Sequence, residues 1–323
     1  CRSAEGRVPT PLMAEYYRQR SSAGMILSEA TAISPMGVGY PDTPGLWSTE
    51  QIEGWKAATS AVKDAGGILV AQLWHVGRIS DPVYLDGADP VAPSAIAPSG
   101  HVSHVRPKKP FVTPRALTEA EIRSTIEDYR QAAINALEAG FDGVELHGAN
   151  GYLPEQFLRS TSNHRNDSYG GDIASRCKFF LEATDALIEV WGADKVGIHL
   201  SPEVDPEDQT PGELYLHLAA ELKKRRVAFL FLREAPDAAP RLTPMIKSVF
   251  GHGVIANQQL SREGGQALLD KGVADAASWG RDFIANPDLP ERFQKKADLN
   301  DPIPETFYGG GSEGYTDYPF LGG

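Results

Sequence analysis

The chain has 323 residues, enough to bury a large core in one (β/α)8-sized unit or in two smaller ones. With 41% hydrophobic and 23% charged residues it reads as an ordinary soluble globular protein, and a formal charge of -12 argues against nucleic acid or an anionic membrane as partner. Cys1 and Cys177 are too few for a disulfide framework, no run of about eighteen apolar residues exists to span a membrane, and residues 1–11 lack an apolar leader, so the cytoplasm is the expected location.

In chain order, helix and strand signals alternate. Thr10 and Pro11 read as the N-cap and first-turn proline of a helix over 12–22, and residues 25–27 as a short buried strand. Ser48 caps a second helix, 48–65, whose apolar positions Ile52, Trp55, Ala58 and Val62 share a face; Gly66 and Gly67 end it before a strand at 68–73. Residues 80–115 break the rhythm. They are rich in Pro, Gly, Ser and His and too long for an ordinary βα loop, so they are expected to form a lid over the catalytic face, with Lys108 and Lys109 on a solvated side. The capping box Thr118-Glu119-Ala120-Glu121 opens the longest helix, 118–139, which Gly140 closes ahead of the apolar run Gly143-Val144-Glu145-Leu146. Helices at 174–190, 212–225, 240–250 and 261–270 are each followed by a short apolar run, at 196–200, 228–232, 253–256 and 274–278. Residues 301–323 carry Phe307, Tyr308, Tyr315, Tyr318 and Phe320 and are expected to pack, since aromatics are costly to leave in water.

Strict alternation means a parallel sheet, doubly wound or closed into a barrel. Seven strands are legible, and the chain opens on a helix with a vacant place ahead of it. The expectation is therefore an α/β fold, a (β/α)8 TIM barrel over 1–323 as a single domain, with its first strand absent from the chain as given. A barrel short of one strand would expose two sheet edges, which calls for a longer chain or for something else to fill the gap.

A barrel puts its chemistry at the C-terminal ends of its strands. There the chain places Gln72, Trp74 and His75 after the run at 68–73, and His147, Asn150 and Tyr152 after the run at 143–146. His199 ends the next strand, Asn257, Gln258 and Gln259 follow the run at 253–256, and Trp279, Gly280 and Arg281 follow the run at 274–278. A glycine with a free backbone N–H followed by an arginine, in the loop where barrels hold phosphate, suggests a phosphorylated cofactor across the barrel mouth. A lone strand-end histidine is more often structural than catalytic, but His147 with Asn three positions on and Tyr five on stands above that baseline. Gln72 and Trp74 taken alone would be barrel packing. His75, His101 and His104 lack a carboxylate or cysteine at ligand spacing, so no metal site is expected.

Several motifs together resemble the Old Yellow Enzyme family of flavin-dependent ene-reductases, in particular its N-ethylmaleimide reductase-like members. They are Ser28-Glu29-Ala30-Thr31, Gln72-Leu73-Trp74-His75-Val76-Gly77-Arg78, Pro114-Arg115-Ala116-Leu117-Thr118, and His147-Gly148-Ala149-Asn150-Gly151-Tyr152-Leu153. Tyr169-Gly170-Gly171, Gly280-Arg281 with Asn286-Pro287-Asp288-Leu289, and Thr306-Phe307-Tyr308-Gly309 carry the likeness nearly to the end of the chain. The resemblance implies FMN on the barrel face, reduced by NADPH, and a second substrate whose C=C bond is conjugated to a carbonyl or nitro group. It implies that His147 and Asn150 hold the activating oxygen and that Tyr152 protonates the α carbon. Ala30 and Gln72 would contact the isoalloxazine ring, and Gly280 and Arg281 the phosphate. Trp74 would shape the substrate side, and Tyr308 suits either packing or substrate contact. A small-molecule substrate and a monomer or homodimer complete this expectation.

Three departures from the family pattern fall on the flavin side. The family has a strand before the first helix, and this chain begins just beyond it. The family usually carries Arg where this chain has His199, an Arg that places a permanent charge near flavin N1 and O2; histidine does so only when protonated. Gln258 and Gln259 stand where the family has small residues or glycine for close approach to the phosphate. A second reading therefore stays open beside the first: a divergent, flavin-free member doing acid-base isomerase or cyclase chemistry with His147, Asn150 and Tyr152, or a non-catalytic ligand-binding barrel.

Overall fold

Short apolar runs bounded by polar caps fold here as parallel strands, each returned to the next by an amphipathic helix. The computed structural model describes residues 2–202 and 211–322; Cys1 and Gly323 lie outside them. The strands are β1 (Ile26–Leu27), β2 (Thr31–Ala32), β3 (Leu69–Trp74), β4 (Val91–Ala92), β5 (Arg115–Ala116), β6 (Gly143–His147), β7 (Val196–Leu200), β8 (Phe229–Arg233), β9 (Gly253–Asn257) and β10 (Ala276–Ala277). The helices are α1 (Pro11–Gln19), α2 (Thr49–Asp64), α3 (Glu119–Glu138), α4 (Leu153–Leu158), α5 (Ile173–Trp191), α6 (Pro211–Arg225), α7 (Thr243–Phe250), α8 (Arg262–Asp270), α9 (Arg281–Ala285) and α10 (Leu289–Lys295).

The main sheet runs β1-β3-β6-β7-β8-β9-β10, all parallel, with β2 joining β3 further along than β1 does. This is the α/β-barrel wall of the TIM fold. β1 lies against Leu69 and Val70 and β2 against Leu73 and Trp74, so one barrel place is filled by two short strands broken at Ser28-Glu29-Ala30. The break is held by Ser28, whose Oγ accepts the Gln72 N–H at 3.0 Å. Its consequence is functional: the interruption turns Ala30 toward the cavity. β1 and β10 form the two ends of the sheet path, with no ladder between them among the described residues.

Side-chain parity divides the wall. Val144, Leu146, Ile198, Leu200, Leu230, Leu232, Val254 and Ala256 point outward into one continuous core with the helices. The alternate residues His147, His199, Phe231, Ile255 and Asn257 line the interior. Ile52, Trp55, Ala58 and Val62 of α2 are all buried in that core, and full burial of such side chains stabilises by roughly 1.5–3 kcal/mol each. The capping boxes at Ser48 with Gln51 and at Thr118 with Glu121 are both formed.

Some local expectations are corrected. Thr10 precedes α1 with Pro11 at its start, but the Thr10 hydroxyl donates to the Arg2 carbonyl and caps nothing. The helix expected from residue 240 begins at Thr243, because the buried Glu234 carboxylate accepts the N–H groups of Leu242 and Thr243 and so supplies the cap from another element. Short helices α4, α9 and α10 lie in stretches to which the sequence assigned no helix, where five to seven residues are too few to display a period. Within residues 80–115, β4 pairs with the edge residues Arg115 and Ala116, and His104 reaches the cavity. Lys109 is more than a solvated charge: its Nζ lies 2.6 Å from the buried Asp81 carboxylate and pins the excursion to its own root. In the C-terminal segment Phe307, Tyr315 and Tyr318 are buried, and Tyr315 stacks on Tyr16 at 4.1 Å.

Candidate active site

A cavity of about 1200 Å3 opens at the C-terminal ends of the strands, larger than the roughly 300–1,000 Å3 of an ordinary ligand pocket. Ala30, Gln72, Trp74, His147, Asn150, Tyr152, His199, Asn257, Gly280 and Tyr308 all line it. Gln258 and Arg281 do not. Gln258 lies just past β9, half-buried, and Arg281 is exposed at the first residue of α9, directly after Gly280.

His147 ends β6 and Asn150 and Tyr152 follow in a tight loop. Gly148 is dictated by space: a Cβ there would meet the Phe180 ring at 2.2 Å and the His199 carbonyl at 3.1 Å. Asn150 and Gly151 then both take positive φ, 59° and 77°, which Asn tolerates better than other side chains and Gly adopts freely. The Asn150 N–H donates to Ser201 Oγ at 2.9 Å and the Gly151 N–H to the buried Glu155 carboxylate at 2.5 Å. Gln156 ties the loop to the one after β3, donating from Nε2 to the carbonyls of Val76 and Gly151 and accepting the Arg78 N–H. The loop is therefore rigid before any ligand arrives.

The polar atoms it presents are defined by their other bonds. His147 Nδ1 accepts the Ala149 N–H at 3.4 Å, which leaves Nε2–H as its donor. Burial, reinforced by Arg233, pushes its pKa down to about 3, so the ring is neutral near pH 7. Asn150 Oδ1 accepts from Arg233 Nη1. A guanidinium only donates, so this bond fixes the amide with Nδ2 as the group left for a ligand. Tyr152 OH lies 3.0 Å from Tyr40 OH, and Trp74 packs against both rings at 5.1 and 5.4 Å. Burial first, then Tyr40, raises the Tyr152 pKa well above the ordinary phenol value, so the hydroxyl keeps its proton.

Beneath this layer lies a buried polar cluster. Gln72 Nε2 donates to Glu145 Oε2 at 2.7 Å and lies 3.3 Å from His199 Nδ1. Burial raises the Glu145 pKa to about 8 and holds His199 well below its usual range. His199, whose ring stacks on His147 at 4.8 Å, is thus neutral and supplies no cation to the site. The permanent charge enters from the neighbouring strand instead, as Arg233 at the end of β8. Sequence reading gave no role to Arg233, Glu145 or Tyr40. A parity signal existed for the first two: Glu145 shares the inward face of β6 with His147, and Arg233 that of β8 with Phe231. Tyr40 belongs to a Gly39-Tyr40 pair that resembles the family pattern, but its contact with Tyr152 exists only through the fold.

The residues present fit a flavin mononucleotide. The cavity is larger than an ordinary ligand pocket, and cavity-lining His199 and Trp74 each keep a buried ring nitrogen without a hydrogen-bond partner. Gly280 has nothing within 4 Å of the position a Cβ would take. Gln258 and Gln259 keep positive φ, 100° and 52°. Their backbone therefore holds the shape glycine would allow, at some cost in strain.

A parallel α/β barrel with hydrogen-bond donors, a phenol and a phosphate-type loop around one deep cavity defines a flavin-type oxidoreductase site. The sequence model of the NADH:flavin oxidoreductase / NADH oxidase family matches residues 1–300. A relative from Oryza sativa subsp. japonica, 12-oxophytodienoate reductase 7, is 40% identical over 100% of this chain and 89% of its own length. A probable flavin mononucleotide-dependent alkene reductase of Leishmania infantum is 39% identical over 99% of this chain and 91% of its own. The solved structure of the old yellow enzyme homologue from Zymomonas mobilis superposes with a TM-score of 0.95 at 45% identity, covering 99% of this chain and 93% of that one. The chain belongs to the NADH:flavin oxidoreductase family, within its Old Yellow Enzyme branch. It is an FMN-dependent ene-reductase that draws on NAD(P)H, and the flavin-free reading is set aside. Among the described residues no helix is long and apolar enough to cross a membrane.

Proposed function

We propose that this ene-reductase activates its alkene through His147 and Asn150 and protonates it from Tyr152. The observation that carries the reading is the pairing of donors: Nε2–H of a neutral His147 and Nδ2 of Asn150 border the same cavity as the Tyr152 hydroxyl. Ala30, Gln72, His199, Asn257 and Gly280 at the cavity would hold FMN, with Gln258 and Arg281 beside them contributing through the phosphate loop, and the bound flavin would supply hydride chemistry drawn from the nicotinamide. As the β carbon takes that hydride, the C=C electron pair shifts toward the carbonyl or nitro oxygen. His147 and Asn150 then face a growing negative charge, and fixed donors in a water-poor site stabilise it without reorganising. Tyr152 gives its proton to the α carbon and is reprotonated from solvent, with Tyr40 steadying the phenol between turnovers. Trp74 walls the substrate side. Tyr308, 59% exposed, stands at the mouth and suits substrate contact.

Residues 80–115 are read as a lid, supported by His104 at the cavity. NADPH is the reductant to be tested against NADH, and the cytoplasm is the compartment that fits the charge and cysteine content. In the test, purified protein with FMN is mixed with NADPH and 2-cyclohexenone. Flavin reoxidation by the enone should persist in wild type and fall at least tenfold in His147→Ala/Asn150→Ala, with flavin reduction by NADPH still measurable. Tyr152→Phe should bind the enone normally and lose turnover. Wild-type protein that takes up FMN but leaves the enone unreduced would sink the proposal.

A further inference from the structure

His199 stands where the sequence pattern calls for a permanent cation, and it is buried and neutral, stacked on the His147 ring at 4.8 Å and edge-on to Phe231 at 4.5 Å. The neighbouring strand repairs that loss in a different place. Phe231 pairs with His199 in the sheet register, and two residues further along β8, on the same inward face, comes Arg233, opposite Asn257 of β9. Its Nη1 donates to Asn150 Oδ1, and its charge acts on His147, His199 and Tyr152 alike. We propose that Arg233 is a positioning residue for substrate activation, which locks the Asn150 amide with Nδ2 toward the substrate and adds a fixed positive charge beside the developing oxyanion.

This inference rests on the role given to Asn150 above and adds to it in two respects. Without Arg233 the Asn150 amide is free to rotate, and half of its orientations present an acceptor to an anionic oxygen. With Arg233 the acceptor is occupied, so every orientation that keeps the bond presents a donor. The guanidinium is also charged at every working pH, so the electrostatic aid is independent of the histidines. The expected preference is for ligands bearing a full or growing negative charge on the oxygen that the pair holds.

The experiment uses FMN-loaded wild type, Arg233→Ala, Arg233→Lys, Asn150→Ala and the double variant Arg233→Ala/Asn150→Ala. The probe is 4-nitrophenolate, an oxyanion on a flat ring, with binding read from the flavin spectrum, alongside stopped-flow reoxidation by 2-cyclohexenone. Arg233→Ala should keep the flavin spectrum and the rate of reduction by NADPH. It should weaken phenolate binding at least tenfold and slow reoxidation at saturating enone by a similar factor, a loss in kcat more than in KM. Arg233→Lys should restore part of the phenolate affinity through its charge and little of the reoxidation rate, because the ammonium on its differently shaped stem does not place a donor at Asn150 Oδ1 as Arg233 Nη1 does. The double variant should be little worse than either single one, since the two residues act as a unit. Wild-type phenolate affinity and reoxidation in Arg233→Ala, or strictly multiplicative losses in the double variant, overturn the inference alone. A wild type inert toward the enone overturns it together with the role of the pair.

Discussion

His147 and Glu145 sit two residues apart on one strand face and are tuned in opposite senses by the same cause. Burial disfavours charge, so the imidazole pKa falls to about 3 and the carboxyl pKa rises to about 8. For His147 the stability its neutral burial allows is present above its unfolded value of 6.5 and is lost as pH falls toward 3. For Glu145 the stability is present below its unfolded value of 4.5 and is lost as pH rises through about 8. Replacing Glu145 by Gln keeps the hydrogen-bonding shape and removes the titration. Urea midpoints of Glu145→Gln should match wild type near pH 5 and exceed it at pH 9, each pH unit inside the window being worth up to about 1.4 kcal/mol. Equal midpoints at pH 9 would show that Glu145 is not a buried, raised acid.

Elements matter here chiefly through the loops they fix. The segment after β6 is held at Ser201, just past β7, and at Glu155 and Gln156 of α4, so its donors depend on two other elements. Gly148→Ala should force the Phe180 ring and the His199 carbonyl apart and cost about 1–3 kcal/mol of stability. Differential scanning should register this as a lowered melting temperature, with a larger proportional loss of turnover than of flavin content. After β9 the strain runs the other way. Gln258→Gly places the residue that prefers a φ of 100° where that angle already exists, and should stabilise by about 1 kcal/mol. A destabilised Gln258→Gly protein would mean that the glutamine side chain, rather than the backbone shape, is what this position needs.

At the scale of the whole molecule, acid and base each attack a different set of buried groups. His75, buried and lowered to about 3 like His147, adds to the acid side, and Glu145 governs the base side. Stability followed by thermal melting should therefore be greatest near pH 6.5, fall toward acid as the two histidines lose their neutral burial down to about pH 3, and fall toward base through Glu145 up to about pH 8. The barrel, its seven strand places and most helices were legible because their signals are local: a capping box at Thr118, an apolar stripe at Ile52, Trp55, Ala58 and Val62, glycine stops at Gly66 and Gly140. The triplet His147, Asn150 and Tyr152 was legible for the same reason, since strand end and spacing put all three on one short loop. Arg233 acting on Asn150, Tyr40 on Tyr152, Lys109 on Asp81 and Glu234 on the start of α7 were not. The first three join residues far apart in sequence that only the fold brings within hydrogen-bond reach, and Glu234 reaches the start of α7 across an irregular connection that no periodicity records. Periodicity and caps record what a segment does alone, so the sequence by itself determined the fold, the family and the side chains proposed to activate the substrate. The tertiary structure decided where the fixed positive charge sits, because that depends on which strand lies beside which and on the burial that leaves His199 neutral and Arg233 charged.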